Sequence, residues 1–346
     1  MTDAIPEYRI QHRDVIVIGA SAGGLQPLQQ VLEDLPVDLP AALFVVLHMG
    51  ATSRLVDILG RTAALPVLAA KSGLPIEPGR IYVAVPGLHL LLHDQHILLR
   101  RGPRENLARP AIDPLFRSAA CTFGGRVIGV VLSGALNDGT AGLLAIKRCG
   151  GMAVVQQPDD AADPSMPLSA LAHVDIDHVA PTAALGGLLA RLTRERAGET
   201  PLIPLETRLE TAIAAQELPG METDEQLGEV SRFTCPECGG ALWEIDDSSL
   251  LRYRCHVGHA FTADAVLHAQ TNRAEEMLWT LMRSHQERAA LARRMAQQER
   301  LLSRDALAED LLERARGYDE DAEVIRRLLR DHTGVVGTWN REQDVR

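Results

Sequence analysis

The chain has 346 residues, 46% of them hydrophobic and 23% charged, which are ordinary values for a globular protein of one large domain or two smaller ones. Its formal net charge of -11 argues against nucleic-acid binding, because phosphate contacts require a concentrated basic surface. No run of about 18 apolar residues could span a bilayer, and residues 1–13 lack the apolar core of a signal peptide, so we expect a cytoplasmic protein without membrane insertion.

Short apolar runs alternate with amphipathic segments from residue 14 to about residue 195. The pattern predicts buried strands at 14–18, 42–47, 126–132 and 152–156, and helices at 27–35, 53–63 and 140–149. Three shorter runs, which turns separate, predict a small antiparallel addition at 81–85, 89–92 and 96–100. The alternation indicates an α/β domain, placed at residues 1–195, with a doubly wound and mostly parallel sheet between helices.

The composition changes three times after this domain. Residues 196–230 are polar and rich in proline, as in a linker, and residues 231–262 concentrate Cys, His and Gly. Residues 263–333 predict a helical hairpin or coiled-coil segment, with a break at 303–305 and a 13-residue tail at 334–346. An apolar seam follows a 4-3-4-3-4 spacing through Leu311, Ala315, Tyr318, Ala322, Ile325 and Leu329. We expect a homodimer or a signalling partner to bind through these helices; a solvated helix is the alternative.

A Gly-x-Ser-x-Gly motif, Gly19 to Gly23, lies between the first strand and the first helix. Such a turn exposes the Oγ of its serine, here Ser21, and the backbone N–H groups that follow, of Ala22 and Gly23, can stabilise an oxyanion. The same residues also fit a degraded phosphate-binding loop, with Asp38 as the ribose ligand, or a tight turn that only packs a helix on the sheet.

A serine nucleophile requires a base and a carboxylate that orients the base. His48 follows the strand at 42–47, and Asp138 follows the strand at 126–132. Because functional residues of parallel sheets collect at the carboxyl ends of the strands, we predict a catalytic triad of Ser21, His48 and Asp138 at one edge. Taken singly, His48 could instead be a surface residue, and Asp138 could cap the following helix.

With these motifs, residues 14–195 resemble the catalytic domain of the chemotaxis protein-glutamate methylesterases, the CheB type. The resemblance lies in five blocks in the same order: Ile18–Gly24, Leu47–Met49, Asn106–Phe116, Leu132–Gly142 and Gln156–Leu171. It implies hydrolysis of glutamate γ-methyl esters on chemoreceptor-like proteins, together with deamidation of glutamines in many members. Ser21 would attack the ester, His48 would move the proton, and Asp138 would hold the imidazole tautomer.

The sequence departs from the common family pattern. Ala22, Ala135 and Gly50 stand where threonine, methionine and proline are common, which puts substrate preference in doubt more than the chemistry. Because the first strand begins near residue 14, we expect no receiver domain and no control by phosphorylation in cis.

The Cys-rich segment predicts a zinc-ribbon-like module. Cys235 and Cys238 form a Cys-x-x-Cys pair, and Cys255 follows 17 residues later. Tetrahedral zinc binds four nitrogen or sulfur ligands, and we favour His259 over His256 as the fourth, because Cys-x3-His can wrap an ion. The zinc is expected to be structural, with no cofactor for catalysis; cysteines without metal are the alternative.

The sequence is compatible with two functions. The first is a Ser-His-Asp methylesterase. The second is a catalytically idle signalling or scaffold module that recruits partners through the ribbon and the C-terminal helices. A nucleotide-binding α/β protein is disfavoured by the block matches.

Overall fold

The structure is a computed structural model that describes residues 11–48, 54–217, 228–245 and 249–332. Several predictions fall on residues outside these ranges, namely the family positions 49 and 50, most of the N-terminal 13 residues and the 334–346 tail.

Nine strands lie between residues 15 and 180 of the described chain: β1 (Val15–Ala20), β2 (Ala42–Leu47), β3 (Val67–Ala69), β4 (Ile81–Val83), β5 (His89–His93), β6 (His96–Arg100), β7 (Val127–Val131), β8 (Met152–Gln156) and β9 (His178–Ala180). Seven of them form one parallel sheet in the order β3-β4-β2-β1-β7-β8-β9, and β5 and β6 form an antiparallel hairpin. The predicted doubly wound α/β fold is confirmed.

One part of the strand prediction is wrong. The run at 81–85 was expected in the antiparallel addition, but β4 lies inside the parallel sheet between β3 and β2. All three of its side chains are buried, which is the pattern of a strand with both faces covered. The apolar run is so short that its length does not distinguish a strand of the parallel sheet from a strand of a hairpin.

Helices cover both faces of the sheet: α1 (Leu25–Glu33), α2 (Leu55–Leu59), α3 (Ile112–Phe123), α4 (Thr140–Arg148), α5 (Ser165–His173) and α6 (Thr182–Leu192). Alternate residues of β1 point to opposite faces. Val15 and Val17 pack in the core with α3, α4 and α5, whereas Ile16 and Ile18 pack with α1, α2 and α6. Because both faces are apolar, the polar groups of this domain collect at the ends of the strands.

The segment predicted as a linker contains a helix, α7 (Leu205–Ala214), which packs against α3. An antiparallel sheet follows, made of β10 (Gly228–Thr234), β11 (Ala241–Ile245), β12 (Arg252–Cys255) and β13 (Ala260–Thr262) in sequence order. We call residues 228–262 the ribbon. It belongs to the same compact unit as the parallel sheet, which extends to Val266.

Two long helices, α8 (Ala263–Leu301) and α9 (Asp305–His332), complete the described part of the chain, and the second compact unit begins at Leu267. The predicted seam of α9 is largely buried: Leu311, Ala315, Ala322, Ile325 and Leu329 are all under 9% exposed. Arg288 and Arg293 on α8 bond to Tyr318 and Asp319 on α9, so the two helices contact each other directly. Within the described part of the chain, no helix is both long and apolar enough to cross a membrane.

Candidate active site and metal centre

Ser21 follows the last residue of β1 in a tight turn that leads directly into α1. Its N–H donates to the carbonyl of Ser133, and its own carbonyl accepts from the N–H of Gly24, both at 2.9 Å. Gly23 has φ +70°, and a Cβ at this position would lie 2.5 Å from the Cβ of Ala162. The turn therefore requires a glycine two residues after Ser21, for backbone conformation and for space.

His48 follows β2 and connects Ser21 to Asp138. Its Nδ1 lies 3.1 Å from the Oγ of Ser21, and its Nε2 lies 2.8 Å from the Oδ2 of Asp138. A carboxylate can only accept, so the proton of the neutral ring lies on Nε2, and Nδ1 accepts from the Ser21 hydroxyl. The structure thus brings the three sequence-predicted residues together in one hydrogen-bonded chain at the carboxyl edge of the parallel sheet.

Asp138 is 2% exposed, and besides the bond to His48 it accepts several hydrogen bonds from backbone N–H groups. Oδ2 also accepts from the N–H of Ile112 at 2.7 Å, and Oδ1 accepts from the N–H groups of Asp113 and Gly139 at 3.2 and 3.0 Å. Burial by itself raises the pKa of Asp138, but the bond and charge of His48, followed by the backbone donors, hold the pKa below its usual value. Asp138 is therefore ionised and fixed in orientation.

Two further polar residues support Asp138, and the sequence reasoning did not single them out. The Nδ2 of Asn106 donates to both carboxyl groups, at 3.0 Å to Asp138 and 2.9 Å to Asp113. Burial and then the charge of Asp138 raise the pKa of Asp113 to about 8. Both residues lie in the block Asn106–Phe116, which resembles the methylesterase family, and this resemblance is the sequence signal that could have indicated their role.

His89 on β5 holds the loop that carries Asn106 through two hydrogen bonds. Its Nε2 donates to the carbonyl of Pro103 at 2.7 Å, and its Nδ1 accepts from the N–H of Ala111 at 3.3 Å. Burial lowers the pKa of His89, so the ring is neutral and can make both bonds. The same loop lines a cleft, which is formed by His48, Arg104, Asn106 and residues 107–110. The cleft therefore reaches His48, the residue next to Ser21 in the hydrogen-bonded chain.

Four residues of the ribbon, three cysteines and one histidine, place possible metal ligands close together. The ligand atoms of Cys235, Cys238, Cys255 and His259 all lie within 4.8 Å of one another. Sulfur atoms of Cys238 and Cys255 are 3.7 Å apart, and Nδ1 of His259 lies 3.4 Å from the sulfur of Cys255. In a zinc tetrahedron with Zn–S distances of about 2.3 Å, neighbouring sulfurs are separated by about 3.8 Å, so the spacing fits a metal ion.

Two glycine turns shape this cluster. Gly239 and Gly258, with φ +75° and +97°, close the turns after Cys235 and Cys255. The ring of His256 instead packs on Trp243, with the centroids 3.9 Å apart. The cluster can therefore hold a metal ion through three cysteines and His259, the set that the sequence favoured.

The fold and the polar edge define an α/β domain with a hydrogen-bonded Ser-His-Asp arrangement, the side-chain set of serine hydrolases. The family model described as CheB methylesterase matches residues 16–189. This match covers half of the chain, and the protein belongs to the CheB methylesterase family.

Named relatives agree with this assignment. A putative protein-glutamate methylesterase/protein-glutamine glutaminase of Leptospira interrogans is 37% identical over 182 residues, which are 52% of this chain and 94% of the relative. A protein-glutamate methylesterase/protein-glutamine glutaminase of Anaeromyxobacter dehalogenans is 38% identical over 56% of this chain and 57% of its own length, so the chain spans just over half of that relative.

A solved structure also matches. The CheB methylesterase catalytic domain of Thermotoga maritima is 31% identical, with a TM-score of 0.50, over 52% of this chain and 98% of the solved one. The parallel sheet and its flanking helices are therefore the catalytic-domain fold of the family.

Proposed function

We propose that the protein is a protein-glutamate methylesterase that hydrolyses glutamate γ-methyl esters on chemoreceptor-like proteins, in chemotaxis or a related signalling pathway in the cytoplasm. The observation that carries the proposal is the hydrogen-bonded chain from Ser21 through His48 to Asp138. The names of the two relatives support hydrolysis of glutamate methyl esters, and both names add glutaminase, so deamidation of glutamine side chains is part of the proposal.

The geometry suggests the order of steps. The Oγ of Ser21 attacks the ester carbonyl carbon while its proton passes to Nδ1 of His48. The tetrahedral intermediate collapses, its C–O bond to the methoxy group breaks, and the imidazolium gives the proton to departing methanol. Water then attacks the acyl-enzyme with His48 again as base, which releases the glutamate and restores the Ser21 hydroxyl. The ionised Asp138 stabilises the imidazolium in both halves.

The oxyanion that forms on the ester carbonyl needs donors near Ser21. The backbone N–H groups of Ala22 and Gly23 are the candidates, because they precede α1 and donate to no other residue in the described part of the chain. The positive φ of Gly23 turns the backbone there away from a helical path. In this proposal Gly23 thus has two roles, one in the turn and one at the oxyanion.

The metal cluster has a separate, structural part in the proposal. Its four protein ligands would complete the tetrahedron around a zinc ion, which would then have no open position for substrate. Zinc would instead supply folding energy to the ribbon, whose apolar core contains few residues besides Leu242, Tyr253 and Phe261. No cofactor enters the ester chemistry.

The test is methanol release from a methylated chemoreceptor cytoplasmic fragment by the full chain. Ser21→Ala should lower the rate by about 10⁴-fold or more. Ser72→Ala, an exposed serine beside the β5–β6 hairpin, is the matched control and should retain the wild-type rate. A fluorophosphonate probe should label Ser21 in the same preparation, as mass spectrometry of the peptides would show.

The alternative is an idle scaffold with the same fold. It predicts no methanol release from several methylated receptors by zinc-loaded wild type, and no fluorophosphonate labelling at Ser21. That pair of results would reject the esterase and leave recruitment through the ribbon and the C-terminal helices.

A further inference from the structure

The ribbon lies against the loop that holds the supporting asparagine of the site. The N–H of Asn106 donates to the carbonyl of Ala260 at 2.8 Å, and the N–H of Thr262 donates to Oδ1 of Asn106 at 3.1 Å. The side-chain amide of Asn106 is thereby held at both ends, by β13 of the ribbon and by the two buried carboxyl groups. The ribbon thus determines the direction in which Asn106 presents its Nδ2 to Asp138.

The same segment holds the loop of Asp138 itself. The hydroxyl of Thr262 donates to Oδ1 of Asn137 at 2.6 Å, and Nδ2 of Asn137 donates to Oδ2 of Asp264 at 3.1 Å. Asn137 is the residue directly before Asp138. Residues 260–264 therefore fix both loops that orient the carboxylate on His48.

Both loops adopt backbone conformations that side chains disfavour. Asn106 and Leu107 have φ +47° and +66°, and Leu136 has φ +61°. The left-handed region is costly for a non-glycine residue and especially for leucine, so these conformations persist only where the surroundings enforce them. Leu107 packs against the apolar core of the ribbon, which supplies part of that constraint.

A buried ion-pair network sets the position of the ribbon on the α/β domain. Arg254 on β12 donates to Glu105 at 3.3 Å and to Glu210 on α7 at 2.7 Å, and Glu105 also accepts from Arg117 on α3 at 2.5 Å. All four side chains are 3% exposed or less. Because a displaced ribbon would separate the buried Arg254 from both Glu105 and Glu210, these ion pairs favour one docked position.

The metal cluster is continuous with this contact. His259 is the residue before Ala260, and its carbonyl accepts from the N–H of Cys255 at 3.0 Å. We propose, on the basis of the esterase function above, that Asn106 and Thr262 are positioning residues for Asp138, and that metal binding by the ribbon controls the rate of ester hydrolysis. The metal fixes the turn at residues 255–259, the turn fixes residues 260–264, and these fix the two loops.

The experiment uses the full chain in three states: loaded with zinc, stripped by a chelator, and reloaded. Stripping should lower kcat by about 10- to 100-fold with little change in KM, because a displaced orienting group mainly affects the transition state. Hydrogen exchange gives a readout without activity. The amides of Ile112 and Gly139, which bond to Asp138, should lose protection on stripping, while amides of β7 keep theirs, and reloading should restore both kcat and protection.

Variants separate positioning from general stability. Thr262→Val removes the hydroxyl that holds Asn137 and should lower kcat in the zinc-loaded enzyme, whereas Thr262→Ser should restore it. Val230→Thr, an exposed change on the ribbon, is the control for kcat and metal content. Equal kcat and equal exchange at Ile112 and Gly139 in the loaded and stripped states would overturn the proposal. If zinc-loaded wild type released no methanol, the esterase function would fail, and the exchange measurement alone would decide the coupling.

Discussion

Replacing Asp138 by asparagine tests the proposed role of the carboxylate without changing the size of the side chain. The oxygen of the new amide can remain on the Oδ1 side, where Asn106, Asp113 and Gly139 all donate. The amide NH2 group must then face Nε2 of His48, from which Oδ2 accepts a hydrogen bond in the wild type. A donor in this place stabilises the imidazole tautomer with its proton on Nδ1.

That tautomer cannot accept the proton of Ser21, because Nδ1 is the nitrogen next to the hydroxyl. The wrong tautomer in a serine triad reduces kcat by about 10⁴-fold, which corresponds to about 5.5 kcal/mol of transition-state stabilisation. We expect a loss of this size in methanol release, with a smaller change in KM. The N–H of Ile112 also loses its acceptor, so the free energy of unfolding should fall by about 1–3 kcal/mol.

The control is Asp38→Asn, an exposed aspartate that was also the candidate ribose ligand in the nucleotide-binding interpretation. It should leave kcat unchanged, and neither protein should gain thermal stability from nucleotides. A kcat of Asp138→Asn within tenfold of wild type, in folded protein, would refute the role of Asp138 as the residue that fixes the tautomer.

Three further predictions concern Gly23 in the turn after β1, the buried Glu210, and the metal ligand Cys238. Gly23→Ala should lower kcat and cost about 1–2 kcal/mol of unfolding free energy in urea titrations, because φ +70° and the nearby Ala162 disfavour a Cβ. Burial by itself raises the pKa of Glu210, but the charges of the neighbouring arginines outweigh burial and lower the pKa below its usual value of 4.5. The ionised Glu210 therefore stabilises the folded protein above about pH 4.5, and this stabilisation is lost as the pH falls. Glu210→Gln should therefore lower the free energy of unfolding by about 3–5 kcal/mol at pH 7. The melting temperature of the variant should also fall less steeply with decreasing pH, and an equally steep fall in both proteins would contradict this. Cys238→Ser should reduce bound zinc in a metal assay and abolish a stabilisation of about 4 kcal/mol at a thousandfold excess of zinc over Kd, whereas Cys121→Ser, outside the cluster, should leave zinc content unchanged.

The α/β domain could be predicted because its longer strands are continuous apolar runs. β2 and β8 have the predicted boundaries, and Ser21, His48 and Asp138 all lie just past the ends of predicted strands. β4 could not be placed in this way, because three buried residues look the same in a hairpin as in a parallel sheet.

The polar supports of the site were less accessible to sequence reasoning. Asn106, Asn137 and Thr262 are common surface residue types, and nothing in their spacing indicates that residues 156 positions apart share a hydrogen bond. The same holds for Glu210, which lies in a polar, proline-rich segment typical of a linker. Its burial depends on Arg252 and Arg254, and those partners only become apparent once the ribbon is docked.

The extent of the family match bears on what the ribbon can contribute. The match ends at residue 189, before α7 and the ribbon, and the solved catalytic domain is covered almost completely by about half of this chain. The Ser-His-Asp edge is thus built on a fold that is defined without a ribbon. In this chain, however, the loops of Asn106 and Asp138 make their outward hydrogen bonds to residues 260–264. Because the ribbon orients the carboxylate of Asp138 and does not touch the ester, its displacement should lower the rate of ester hydrolysis less than removal of the nucleophile does. Loss of metal should therefore cost far less than Ser21→Ala, and it should be reversible, which is the behaviour of a control element and not of a catalytic group.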